Sequence, residues 1–233
     1  MNRDEFIKEV SNLGITLDDN KLNLLDQFFH ILIRENEKIN LTRIVDENEV
    51  YLKHFYDSLT LIKSIDLSRN LKVCDVGTGA GFPGIVLKIV FPNLKIDLVD
   101  SLDKRVKYLN NTISELGLTN IKAIHSRAED YCRNHYEEYD LVVSRAVARL
   151  SVLSEITIPM LKVNAYFIAM KANLDDEIIN SEDILHKLDS KIVDVNNFVL
   201  PLELSTRNLV KIEKLKQTNR KYPRTFDKIK KSN

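Results

Sequence analysis

Val73-Cys74-Asp75-Val76-Gly77-Thr78-Gly79-Ala80-Gly81-Phe82-Pro83-Gly84 is the stretch that decides the fold of this chain. An apolar run ends in a carboxylate, four glycines fall within eight residues, and a proline stands where a helix opens. Glycine lacks a Cβ, so such a loop turns tightly and brings its backbone into contact with a ligand. Proline suits the first helical turn, where its missing N–H leaves nothing unsatisfied. The pattern predicts a strand–loop–helix unit that binds a nucleotide. Gly79-x-Gly81-x-x-Gly84 has the dinucleotide spelling, but NAD and FAD lay a pyrophosphate on this loop and on the helix N-terminus. Asp75, at the strand end beneath the loop, repels such a charge. S-adenosylmethionine carries an ammonium, a sulfonium and no phosphate, so a carboxylate here favours it. The structural alternative for Asp75 is a cap on the loop.

Leu94–Asp100 reads as a second strand, and Asp100 falls 23 residues after Gly77, near the spacing at which a terminal carboxylate accepts from ribose hydroxyls. An N-cap on the following helix is the compatible structural role for Asp100.

The alternation of strand and helix continues from Leu71 onward, which predicts a parallel sheet with helices on both faces. Strands are expected at 72–76, 95–100, 121–125, 139–144, 165–171, 190–198 and 207–213, with helices near 83–91, 103–117, 149–160 and 175–188. Val193, Val195, Phe198 and Val199 suit an edge strand, and the strand after Pro201 is expected to return antiparallel. The fold class is therefore α/β, Rossmann-like, with a mostly parallel seven-stranded sheet. The first 70 residues show apolar spacing of helical period only: Phe6 and Val10, then Leu22, Leu25, Phe28, Phe29 and Leu32, then Val50, Phe55, Leu59 and Ile62. Three segments are expected: a helical extension over 1–70, the main domain over 71–216 and a basic tail over 217–233.

The composition sets limits. Thirty-four basic residues balance 34 acidic ones, so a case for nucleic acid rests on local clustering alone. Cys74 and Cys132 have no C-x-x-C spacing, which fits a reducing compartment and gives neither a disulfide nor a zinc framework. The charged start and the lack of a long apolar run predict a cytoplasmic chain without a membrane span, and no metal is expected.

Ligands of open parallel sheets sit outside the carboxyl ends of the strands. Those ends hold Arg127, Ala128 and Glu129 after the third strand, Arg145 after the fourth and Lys171 after the fifth. Ala128 and Glu129 suit the adenine edge, or simply a stabilising charge at a helix start. Arg145 and Lys171 are cations on the rim, suited to orienting substrate or holding phosphate; pairing with Asp75 or Asp100 is the structural alternative for Arg145. Residues 211–233 hold nine basic residues against two acidic, a net +7. Arg220, Lys221, Tyr222 and Arg224 within it suit phosphate contact with base stacking, against a plainly solvated tail.

The ordered set of Asn40-Leu41-Thr42, His54 through Asp57-Ser58, Asp75–Gly84, Asp100-Ser101-Leu102 with Lys104-Arg105, Ser126–Glu129, Ser144-Arg145-Ala146, Lys171 and Arg220–Arg224 resembles the bacterial small-subunit ribosomal RNA guanine-N7 methyltransferases, the RsmG or glucose-inhibited division protein B family. The resemblance implies methyl transfer from S-adenosylmethionine to N7 of a guanine near the decoding centre of 16S ribosomal RNA. It implies cofactor contacts at Gly77, Phe82, Ala128, Glu129 and Arg145, to which the loop reading adds Asp75, Gly79 and Asp100. RNA contact is expected at Arg127, Arg145, Lys171, Arg220, Lys221, Tyr222 and Arg224. His54 and Asp57 are candidates for shaping the site, against a packed helix-face role. The partner is 16S ribosomal RNA, in the small subunit or an assembly intermediate, and a monomer is expected. Thr225–Lys231 departs from the glycine-proline-rich ending of the family. A methyltransferase of another substrate, a non-catalytic RNA-binding module and a nicotinamide oxidoreductase are the rival readings.

Overall fold

Short strands that are apolar on both faces need cover on both, and that requirement builds this molecule. The computed structural model describes residues 1–145, 148–203 and 205–231, with residues 230 and 231 described by backbone alone; Ala146 of the Ser144-Arg145-Ala146 motif lies outside them. Seven strands, β1 (Lys72–Val76), β2 (Lys95–Asp100), β3 (Ile121–His125), β4 (Tyr139–Arg145), β5 (Leu161–Lys171), β6 (Ser190–Val199) and β7 (Thr206–Lys214), form one sheet in the order β3-β2-β1-β4-β5-β7-β6. The first five run parallel; β7 enters antiparallel between β5 and the edge strand β6. The expected antiparallel return and valine-rich edge are both present.

Side chains alternate between the two faces with period two. Val73, Leu98, Leu141, Val143 and Ile168 pack on one face with α5 (Gly84–Val90) and α6 (Asp103–Glu115). Cys74, Val99, Val142 and Phe167 pack on the other with α7 (Ala128–Asn134), α8 (Leu150–Thr157) and α9 (Glu177–Lys187). The N-terminal helices α1 (Arg3–Asn12) and α2 (Asp19–Ile39) join the first of these clusters through Phe6, Leu25, Phe28 and Leu32. Asn2 and Asp18 start them, each side chain accepting from a backbone N–H three residues on.

Four elements differ from expectation. The helix expected from the spacing of Val50, Phe55, Leu59 and Ile62 changes form along its length: α3 (Glu47–Val50), a π-helical stretch Tyr51–Tyr56, α4 (Asp57–Leu59) and a 3₁₀ turn Thr60–Lys63. The helix near 149–160 becomes 3₁₀ at Ile158–Met160, because Pro159 has no N–H to continue the α pattern. β5 begins at Leu161 rather than Ala165, with a register shift against β4. Pro83 is the N-cap of α5 rather than a residue of its first turn.

Gly84 fixes how close α5 lies to the sheet. A Cβ there meets Leu98 Cδ2 at 2.2 Å and Asp75 Oδ2 at 2.9 Å, so helix and strand touch backbone to side chain. Gly84→Ala is expected to destabilise the fold by about 1–3 kcal/mol, read as a lowered urea midpoint with an unchanged slope. An unaltered midpoint means α5 has room to move outward.

Candidate active site

The glycine loop is tied down before it meets any ligand. Gly77 and Thr78 donate backbone N–H groups to Val99 O of β2 at 2.8 and 3.2 Å. Gly77 and Gly79 have φ of 71° and 61°, the left-handed region that only glycine adopts freely. Asp75 is fully buried. Its Oδ2 accepts from Thr78 Oγ1 at 2.7 Å and from Gly84 N at 2.9 Å; its Oδ1 has no partner among the described residues. Asp75 thus bridges the start of the loop to the start of α5, the capping role weighed for it above. Burial pushes its carboxyl from the ordinary 3.8 up to about 6, against the pull of Thr78, Gly84 and Arg145.

Asp100 is the carboxylate that faces the ligand space. Its Oδ2 accepts from Gly79 N at 3.0 Å and its Oδ1 from Leu102 N at 2.9 Å, with Arg105 Nη1 at 3.5 Å. Each oxygen keeps a lone pair for a further donor. Asp100, Gly77, Ala128 and Glu129 share a cavity of about 340 Å³ at the carboxyl ends of β1, β2 and β3. Asp75 does not line it, so direct contact between Asp75 and a ligand there is corrected to support of the loop. A larger hollow of about 700 Å³ lies at the opposite, amino ends of β1, β4 and β5, beside Leu71, Asp140 and Ala165. Parallel sheets bind at the carboxyl ends, which selects the smaller cavity.

Two carboxylates, the Cβ-free Gly77 and a mainly apolar back wall fit a hydroxyl-bearing, cationic nucleoside. Among the described residues no group of His, Cys, Asp and Glu is arranged to hold a metal ion.

A second cluster stands beside the loop at Phe82. His54 stacks on the Phe82 ring with centroids 4.5 Å apart, and the Arg145 guanidinium lies 5.0 Å from the same ring. Arg145 donates to Lys53 O at 3.1 Å, to Asp57 Oδ2 at 3.3 Å and to His54 Nδ1 at 3.3 Å. Nδ1 lies between this donor and Lys53 O, 3.1 Å away, and Nε2 lies 3.0 Å from Thr42 Oγ1. Burial, then the Arg145 charge, lowers His54 from 6.5 to about 3, leaving it neutral. Asp57 is buried and also accepts from Arg207 Nε at 3.1 Å. Sequence reasoning brought forward His54, Asp57 and Arg145 but missed Arg207, whose partner lies 150 residues away. Arg145 pairs with Asp57, not with Asp75 or Asp100.

Four RNA-contact expectations meet corrections, at Arg145, Lys171, Tyr222 and Arg224. Arg145 has its donors engaged inside the protein and an 18% exposed side chain. Lys171 is buried, with Nζ on Ala148 O and 2.8 Å from Glu177 Oε2; Glu177 in turn accepts from Leu150 N and starts α8. Lys171 therefore braces two helices and does not stand on the rim. Tyr222 is 5% exposed, too buried to stack on a base. The tail folds back: Arg224 donates from N and Nε to Glu155 Oε1 at 2.8 and 2.9 Å and from Nη2 to Oε2 at 2.6 Å. It ends in α10 (Phe226–Lys231), packed on α8. Arg220 and Lys221 are exposed and Arg127 is 59% exposed at its side chain.

A family model described as rRNA small subunit methyltransferase G matches residues 21–210. The chain is 45% identical over 227 residues to the Ribosomal RNA small subunit methyltransferase G of Bacillus cytotoxicus, spanning 96% of this chain and 95% of that one. It is 46% identical over 227 residues, with the same coverage, to the protein of that name from Bacillus thuringiensis. Among solved structures, a SAM dependent methyltransferase from Aquifex aeolicus superposes with a TM-score of 0.54 at 19% identity, over 78% of this chain and 98% of that one. A 16S rRNA adenine-N1 methyltransferase variant from Catenulisporales acidiphilia gives 0.53 at 16%, over 65% and 88%. These two share the fold.

The buried acid and the buried imidazole leave opposite marks on stability. Between about pH 4 and 6 the folded chain keeps a proton on Asp75 that the unfolded chain has released, so this contribution to stability is lost as pH rises. His54 acts the other way: below its ordinary 6.5 the unfolded chain takes up a proton that the folded chain refuses, so stability is lost as pH falls. Asp75→Asn removes the first effect and keeps the second. Its unfolding free energy should rise with pH more steeply than that of the unmodified protein over this window, by up to about 1.4 kcal/mol per pH unit. Parallel profiles from urea titrations mean that Asp75 is ionised throughout.

Proposed function

Because this chain belongs to the rRNA small subunit methyltransferase G family, we propose that it carries out that family's reaction at the carboxyl ends of β1 to β4. It transfers a methyl group from S-adenosylmethionine to N7 of a guanine in 16S ribosomal RNA. The observation that carries the placement is Asp100, which lines one cavity with Glu129 and is tied by Gly79 N to the glycine loop.

S-adenosylmethionine supplies, when bound, a methyl group on a positively charged sulfur. The residues of this chain hold and orient it. Asp100 takes the ribose hydroxyls, Ala128 and Glu129 the adenine edge, and the Gly77–Gly79 backbone the amino-acid end, while Asp75 keeps the loop in place. Guanine N7 has an in-plane lone pair, so no residue needs to remove a proton before attack. His54 fits that requirement: it is neutral, and both its nitrogens are engaged. The product base is cationic, which disfavours a bare cation beside it. Arg145 is compensated by Asp57 and serves to position Phe82 and His54. Rate enhancement then comes from alignment of N7 with the methyl group at about 3–3.5 Å.

N7 lies on the major-groove edge, which side chains do not reach in A-form RNA. The target guanine is therefore unpaired or locally opened, in the small subunit or an assembly intermediate of it. Arg127, Arg220 and Lys221 are the exposed cations suited to the surrounding phosphates. We place the monomeric protein in the cytoplasm with its ribosomal substrate; among the described residues no helix is long and apolar enough to cross a membrane.

Asp100→Asn converts one acceptor to a donor at the ribose and is expected to weaken S-adenosylhomocysteine binding by about tenfold or more, read by titration calorimetry. Small subunits from a strain lacking the gene, incubated with the protein and S-adenosylmethionine, should gain one N7-methylguanosine in nuclease digests analysed by mass spectrometry. Methylation of another base, or of protein, contradicts the assignment.

A further inference from the structure

The C-terminal helix does not hang free beside the cofactor cavity; it closes one side of it. We propose that α10 is a wall of that cavity and that Phe226 is a cofactor-contacting residue, an inference that rests on the cofactor placement above.

Phe226 lines the same cavity as Asp100, Ala128, Glu129 and Ile156. The residue is 37% exposed, which leaves part of its surface open for a ligand in the cavity to cover. The ring lies 5.3 Å from the Arg127 guanidinium, and Arg127 Nε is 3.6 Å from Glu129 Oε1. One chain of contacts therefore runs from the tail ring, through Arg127, to the start of α7, where the adenine edge is placed. A flat aromatic face against an apolar wall suits a purine base, since every base offers a π-face for stacking.

The position of the ring is set by strong contacts two residues upstream. Glu155 is fully buried on α8 and takes three hydrogen bonds from Arg224. Arg133 of α7 donates to Arg224 O at 2.9 Å. Tyr136 donates to Tyr222 O, and Arg220 lies 4.1 Å from the Tyr136 ring. Downstream, Ile229 is fully buried. A buried ion pair on one side and a buried aliphatic on the other leave Phe226 little freedom except toward the cavity. The tail that its charge and aromatics suggested for RNA contact is, over 222–229, a structural part of the cofactor site.

The chain contains no tryptophan, which makes the test direct. Phe226→Trp places a sole tryptophan at the proposed wall, and S-adenosylhomocysteine should change its emission saturably, with the midpoint found by calorimetry. Phe226→Ala should weaken S-adenosylhomocysteine binding by roughly tenfold, with Phe226→Leu in between and the thermal midpoints of all three close to that of the unmodified protein. Emission that ignores saturating ligand, with binding by calorimetry intact in every variant, overturns the wall and leaves the cofactor site standing. Absence of any binding to the unmodified protein overturns the cofactor site itself, and the wall with it.

Discussion

The glycine loop of the binding face is positioned by one buried oxygen. Asp75 Oδ2 accepts from Thr78 Oγ1 and Gly84 N, and so clamps the glycine loop between the end of β1 and the start of α5. Gly84 makes the clamp possible, because any side chain there strikes Leu98 and Asp75 itself. With the loop fixed at that point, Gly79 N reaches Asp100 and Phe82 reaches the helical extension. The carboxylate that the glycine pattern marks as a charge filter is thus first a mechanical part. Burial even draws it toward neutrality. The carboxylates that line the cavity are Asp100 and Glu129; Asp75 does not line it.

Phe82 joins two parts of the molecule that are far apart in sequence. On one side it belongs to the nucleotide loop. On the other it carries His54 and Arg145, and packs against Phe28 and Phe55 of the N-terminal helices. The π-helical stretch Tyr51–Tyr56 matters here, since a widened turn sets His54 and Asp57 toward the same arginine. Asp57 then holds two guanidinium groups, from β4 and from the start of β7. Removing one partner of such a buried group leaves an uncompensated charge, which is far more costly than the pair is stabilising. The helical extension is therefore part of the active face and not a separate cover.

Local physics made much of this legible in advance. Strand positions followed from short apolar runs alternating with helical segments, and the end of the sheet from the exposed valines of β6. The loop glycines, Asp100 and the turn before α7 announce themselves because their roles depend on neighbours within a few residues. What stayed hidden depends on distant pairing. Nothing near Arg207 signals Asp57, nothing near Arg224 signals Glu155, and Lys171 reads as a rim cation until Glu177 is seen to neutralise it. Charge composition and the interleaved aromatics suggested RNA contact along the tail, because composition does not register one buried acid on α8. The change from α to π form after Val50 leaves no mark in hydrophobic spacing, since the same apolar residues are buried either way.

The most direct test of the account is a crystal structure of the protein with S-adenosylhomocysteine. The ribose hydroxyls should lie within hydrogen-bond distance of Asp100, the adenine beside Ala128 and Glu129, and the Asp75 carboxylate still on Thr78 and Gly84. Ligand density in the hollow at the amino ends of the strands, or Asp75 released from the loop to grip the ligand itself, contradicts it.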